Sequence, residues 1–253
     1  MIKNIIRRGM WSLGFDIVRY HPQPLQQFPA DFSAEDIEII RTARPYTMTS
    51  PERVFALIQS LKYIVKNNIH GDIVECGVWA GGSMMAAALT LIKLNSTERK
   101  IYLFDTFSGM TKPSEKDLSI FGMSGSKKFD NKKITEITSF WCPSSFEEVK
   151  KNIYRTGYDI RKIHFVKGRV EDTLPEAGPQ DIALLRLDTD FYESTKYELI
   201  HLFPRLVTGG VLIIDDYGHW KGAREAADEY IAENHLRLLL NRIDYTGRIA
   251  VKQ

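Results

Sequence analysis

The chain has 253 residues, 43% of them hydrophobic, and a formal net charge of +2, which suits one large α/β domain with a full core. A charge so near balance excludes a partner gathered by global electrostatics, so no nucleic-acid partner is expected and only local charge clusters carry weight. Cys76 and Cys142 stand far apart without a CxxC pair, which excludes a thiolate zinc site and a disulfide framework and leads us to expect a reducing, cytoplasmic setting.

The opening stretch, MIKNIIRRGMWSLGFDIVRYHP, is interrupted by Gly14, Asp16 and Arg19, so it lacks the apolar core and cleavage site of a secretory leader. No run is long enough to span a bilayer. Ile2, Ile5, Ile6, Met10, Leu13 and Ile17 recur at helical spacing with Lys3, Arg7 and Arg8 between them. This helix is expected to pack on its own domain or on a partner subunit of a homo-oligomer; a weak membrane-surface contact is the alternative. After the Pro-rich HPQPLQQFP, a second helix is expected to open at Ser33 with acids in its first turn. A third follows, with Ser50 as N-cap and Pro51 at the first helical position. Residues 1–43 thus read as an N-terminal helical extension and 44–253 as the main domain.

GDIVECGVWAGGSMMAAALTLIKL then runs strand, glycine turn, helix. Further strands are KIYLFDTF, KIHFVKG, IALLRLD and GGVLIID, with helical patterns at SSFEEVKKNIY, STKYELIHLFPRL and REAADEYIAEN between them. Alternating β and α units with nearly continuous apolar strands predict a parallel sheet covered on both faces. The end, RLLLNRIDYTGRIAVKQ, reads as an antiparallel hairpin around Thr246-Gly247. One stretch breaks the rhythm: residues 111–140, rich in Ser, Gly and Lys, show no sustained period and are expected to form a long loop or lid. Their lysines either attract an anionic substrate or simply solvate the loop.

Two sets of residues at the strand ends carry chemistry. In ECGVWAGGS, Gly77, Gly81 and Gly82 open a helix after a strand, where free N–H groups and missing side chains let a ligand approach. The spacing is not the GxGxxG of dinucleotide folds; it follows the looser acid-x-Gly pattern of S-adenosylmethionine (SAM) sites. Asp105, ending the second strand, is placed to accept ribose hydroxyls, a role that by itself fits SAM or NAD. Glu75 either serves the ligand or caps the next turn.

The fourth and fifth strands end in Asp188 and in Asp215-Asp216. If these strands are neighbours, their carboxylates face one crevice and repel one another unless protons or a cation neutralise them. A hard divalent ion, Mg²⁺ or else Mn²⁺ or Ca²⁺, suits oxygen-only ligands. Asp190 is expected instead to cap the helix beginning near Tyr192, and Asp216 has the alternative task of ordering the turn before GHW. His219 either touches the acceptor and moves protons or packs beside Trp220.

Taken in order, RPYTMTSPERV, GDIVECGVWAGGSMM, LFDTFSGM, VKGRVEDTLP, LLRLDTDFYEST and GGVLIIDDYGHWKGAREA resemble the macrocin O-methyltransferase (TylF) family over roughly residues 44 to 235. The resemblance implies a Rossmann-like class I SAM-dependent methyltransferase domain acting on a sugar-containing acceptor with SAM and Mg²⁺. It also implies Met48 and Thr49 near the amino-acid end of SAM, Glu75, Gly77 and Ser83 around its methionine moiety, Asp105 on its ribose, and Val170 and Glu171 along its adenine. Asp188, Asp215 and Asp216 would hold the metal, and Asp188 would also be the general base. A catechol-like phenol as acceptor, an NAD-dependent oxidoreductase and a non-catalytic SAM-binding module are the competing readings.

Overall fold

The apolar runs pair as one seven-stranded sheet in a computed structural model that describes residues 28–132, 141–174 and 176–253. The strands are β1 (Asp72–Cys76), β2 (Ile101–Asp105), β3 (Ile163–Lys167), β4 (Ile182–Leu187), β5 (Leu206–Ile214), β6 (Asn241–Arg242) and β7 (Arg248–Val251). Their order is β3-β2-β1-β4-β5-β7-β6. The first five are parallel, and β7 runs antiparallel to both of its neighbours, which is the expected closing hairpin. Ala34–Gln253 forms one compact unit. Residues 34–43, grouped above with the N-terminal extension, are a helix of this larger unit with Ile39 and Ile40 buried. The first helix, with its packing and membrane-surface readings, lies outside the described residues. Among the described residues no helix is long and apolar enough to cross a membrane.

Strand alternation assigns the two sheet faces. Ile73, Leu184, Val211 and Ile213 pack into one core with Leu57, Leu61 and Ile64 of helix 51–66 and with Met84, Ala88 and Leu91 of helix 82–93. Val74, Leu185, Leu212 and Ile214 pack on the other face with Leu199, Leu202, Ala227 and Tyr230. Helix 51–66 starts as expected: the Ser50 side chain accepts from the Arg53 N–H, and Pro51 occupies a position that needs no donor.

Register brings the strand ends level. Cys76 pairs with Phe104 of β2 and Leu187 of β4, and Leu187 pairs with Ile214 of β5. The next residues, Asp105, Gly77, Asp188 and Asp215, therefore emerge side by side where the strand order reverses, the place at which open α/β sheets bind ligands.

The Ser- and Lys-rich insertion is more built than its sequence suggests, with residues 133–140 outside the described part. It contains a six-residue helix, Gly125–Asp130, too short to display a period, and it bridges to Trp220 through Ser119. Phe129 is fully buried beside Trp141, Phe191, Trp220 and Ala223. The buried Asp117 accepts from Ser114 N and Oγ and from the Tyr192 N–H.

Candidate active site

A cleft at the reversal point is lined by Met48, Gly77, Asp105, Val170, Glu171 and Asp188, all expected site residues, together with Cys142 and Asp190. Thr49, Glu75 and Ser83 lie beneath its surface, each nearly inaccessible to solvent. The glycines do not serve a ligand first. A Cβ on Gly77 would lie 2.0 Å from the carbonyl oxygen of Asp188, and one on Gly82 would lie 2.6 Å from the Tyr46 carbonyl. Chain-to-chain approach, with a positive φ of 83° at Gly77, requires these residues. Asp105 likewise has structural work: Oδ2 accepts from the N–H groups of Val78 (2.7 Å) and Trp79 (3.1 Å), and Oδ1 accepts from Phe107 (2.7 Å). The carboxylate thereby shapes the turn lining the cleft, and burial raises its pKa against these bonds.

The acids beside the cleft meet a residue that the sequence reading missed. Arg186, 1% exposed, faces Glu75 across the β1–β4 ladder. Its Nη1 donates to Glu75 Oε1 at 2.5 Å and Asp188 Oδ2 at 2.6 Å; its Nη2 donates to Thr49 Oγ1 at 2.9 Å and to Asp215 Oδ1. Arg53, from the first turn of helix 51–66, donates to the other Asp215 oxygen and to Asp244 at 3.0 Å. Repulsion among the carboxylates therefore does not by itself call for a metal, because two guanidiniums already stand among them. The missed signal was alternation: a charged residue two positions before Asp188 in an otherwise apolar strand shares its face.

Two guanidiniums do not balance the five carboxyls of Glu75, Asp188, Asp190, Asp215 and Asp216. Burial pushes Glu75 up to about 8 despite Arg186, and it pushes Asp216 well above the carboxylate range. Asp190 rises to about 7, again through burial. Asp190 does not cap the helix near Tyr192 as expected. That N–H is taken by Asp117, and the Asp190 carboxyl meets Asp216 instead, from a backbone at φ 70°.

One oxygen each from Asp188, Asp215 and Asp216 lie within 4.8 Å of one another, and Asp216 Oδ2 is buried without a hydrogen-bond partner. An excess of acid, an orphaned oxygen and an all-oxygen donor set fit a hard divalent cation. Glu75 Oε2 is likewise buried and unpartnered, which fits an ammonium such as that of the SAM methionine moiety. His219 packs edge-on against Trp220 at 5.2 Å between centroids. Its other neighbours are Phe121 at 6.1 Å and Tyr245, whose hydroxyl lies 3.4 Å from Nδ1. Burial lowers its pKa.

Strand order, antiparallel hairpin and a cleft at the reversal point define the fold of class I SAM-dependent methyltransferases. The sequence profile described as Macrocin-O-methyltransferase (TylF) matches residues 26–251, and the chain belongs to this family. It is 32% identical over 207 residues to demethyldecarbamoylnovobiocin O-methyltransferase of Streptomyces niveus, covering 81% of this chain and 75% of that one. It is 30% identical over 232 residues to the 8-demethyl-8-(2,3-dimethoxy-alpha-L-rhamnosyl)-tetracenomycin-C 4'-O-methyltransferase of Streptomyces olivaceus, covering 90% and 85%. Among solved structures, the O-methyltransferase NovP superposes with a TM-score of 0.70 at 30% identity, covering 82% of each chain. The NAD-dependent reading is thereby set aside, consistent with the glycine spacing.

Proposed function

We propose that the protein transfers the methyl group of SAM to a sugar hydroxyl, with Asp188, Asp215 and Asp216 holding a divalent cation and Asp188 serving as the base. The observation that carries this reading is the position of Asp188: it lines the SAM cleft and also belongs to the three-carboxylate cluster. A rhamnosyl acceptor in the name of the Streptomyces olivaceus relative supports a sugar as the substrate class.

SAM supplies an electrophilic methyl, and a hard cation at these oxygens would lower the pKa of a nearby hydroxyl. The rest falls to the chain's own side chains. Arg186 fixes Oδ2 of Asp188, which leaves the other oxygen of a partly exposed carboxylate to accept the hydroxyl proton. Glu75 and Thr49, tied to the same guanidinium, orient the amino-acid end of the donor, and the Asp105 turn orients its ribose. Positioning and charge stabilisation then supply most of the acceleration. His219, packed beside Phe121 and Tyr245, would meet the acceptor.

The test is transfer from labelled SAM to rhamnosides and other glycosides, with dialysed enzyme. Excess chelator should stop transfer, Mg²⁺ should restore it, and Asp188→Asn should lower the rate by roughly 100-fold or more, the usual scale for a general base. Full transfer in chelator would remove the metal from the reading, and an unimpaired Asp188→Asn would remove the base.

A further inference from the structure

The insertion carries a second cavity, of about 370 Å³, lined by Ser124, Lys127, Lys128, Asn131 and Lys132 and, among the described residues, by no acid. Three lysines line it, and none of them pairs with a carboxylate among the described residues. The neighbouring lysines behave differently: Lys116 is held by Glu225 at 2.8 Å and Lys196 by Glu229 at 2.8 Å. Lys128 sets its Nζ 3.9 Å from the centre of the Trp141 ring.

That contact ties the cavity to the active site. Trp141 packs on Phe191 at 5.7 Å and on Trp220 at 5.9 Å. Cys142, next in the chain, lines the SAM cleft. Burial raises the Cys142 thiol pKa while the charges of Lys128 and Lys132 pull it the other way, and Lys128 also acts on Asp190 and His219. The site is thus bipolar, with acids at the strand ends and, across Trp141, lysines that pair with no carboxylate among the described residues.

We propose that the lysine cavity is a subsite for a phosphate or diphosphate carried by the acceptor, so that the substrate is a phosphorylated sugar rather than a neutral glycoside. This rests on the proposed placement of the reacting hydroxyl at Asp188. A sugar seated there would extend its phosphate past His219 to Lys128, where compact ammonium groups bind phosphate oxygens as point charges with charge-assisted hydrogen bonds.

The experiment uses the full chain without divalent cations and titrates inorganic pyrophosphate at low ionic strength, read by calorimetry and by tryptophan fluorescence. Saturable binding is expected, weakened at least tenfold in the Lys127→Ala/Lys128→Ala/Lys132→Ala variant and unchanged in Lys150→Ala/Lys151→Ala, a control for general surface charge. Absence of saturable binding, or equal losses in both variants, overturns the proposal. dTDP and UDP form a second arm: tighter binding than pyrophosphate identifies a nucleotide-linked sugar, and equal binding a simple sugar phosphate, both supporting the anion subsite. SAM and Mg²⁺ titrations on the same protein separate the outcomes. If SAM and Mg²⁺ bind but pyrophosphate does not, the lysine subsite fails alone; if Mg²⁺ does not bind, the placement at Asp188 fails as well.

Discussion

Arg186→Met tests the electrostatic frame of the site most directly, because Met keeps an unbranched apolar stem and removes only the charged fork. The guanidinium is shared by Glu75, Asp188, Asp215 and Thr49, and the side chains of Glu75 and Asp215 are only 1% and 3% exposed. Removing one partner of a buried ion pair costs about 3–5 kcal/mol. For a chain of this size that lowers the melting temperature by roughly 6–20 °C. The cost must depend on pH. Glu75 has a folded pKa of about 8 against an ordinary 4.5, so the folded state holds a proton there that the unfolded state has released, and stability falls as pH rises through this window. Below pH 8 the folded acid stays neutral and has little need of the arginine. As pH rises through about 8 the wild-type acid ionises against Arg186 and the gap between variant and wild type should therefore widen, and Mg²⁺ should narrow it again by supplying charge. Thermal melts by circular dichroism at pH 6, 8 and 9, in chelator and then in Mg²⁺, read all of this. A variant that melts within about 2 °C of wild type at pH 8, or a gap that ignores pH, would refute the role given to Arg186.

Asp105→Ala should weaken SAM binding by more than about tenfold, as expected for lost charge-assisted bonds, and should lower stability by leaving the Val78, Trp79 and Phe107 N–H groups without their acceptor. Unchanged affinity by calorimetry would take Asp105 out of the site. Mg²⁺ affinity should rise from pH 6 to 8, because Asp190 (pKa about 7) and Asp216 hold protons that oppose the cation; Asp216→Asn should weaken binding and flatten the profile, whereas a flat wild-type titration would contradict the reading. Asp117→Ala should destabilise the fold by about 2–4 kcal/mol, since a buried carboxylate bonded to Ser114 and to the Tyr192 N–H is lost. A melt matching wild type would show that the insertion is not anchored there.

The contrast between what was legible and what was not follows from range. Strand identity is local: IALLRL and GGVLII announce buried strands through continuous apolar side chains, and Ser50-Pro51 announces a helix start through capping chemistry. Delivery of Asp188 and Asp215 to one crevice needed only that β4 and β5 be neighbours, which they are. The helix at Gly125–Asp130 was hidden because six residues span fewer than two turns and cannot show a period. The capping of Tyr192 was misassigned because proximity in sequence favoured Asp190, whereas the acceptor is Asp117, 75 residues away.

Arg186 shows why a cluster of acids is a weak argument for a metal when read from sequence alone. Repulsion among Asp188, Asp215 and Asp216 demands positive charge, but it does not say whether an ion or a side chain supplies it. Here the ladder register sets Arg186 opposite Glu75 and two residues before Asp188 on the same face, and helix 51–66 brings Arg53 to the other side of Asp215. The guanidiniums hold Asp215 from both oxygens and Asp188 from one, yet Asp216 keeps a buried oxygen with no partner. That orphan, rather than the number of acids, is what favours a cation at this site: a group desolvated at a cost of about 1–3 kcal/mol is retained in a fold when something binds it. On the proposed reading the arginines would have a distinct task, holding two ligands in place so that an ion meets a partly organised set of oxygens instead of three mutually repelling side chains.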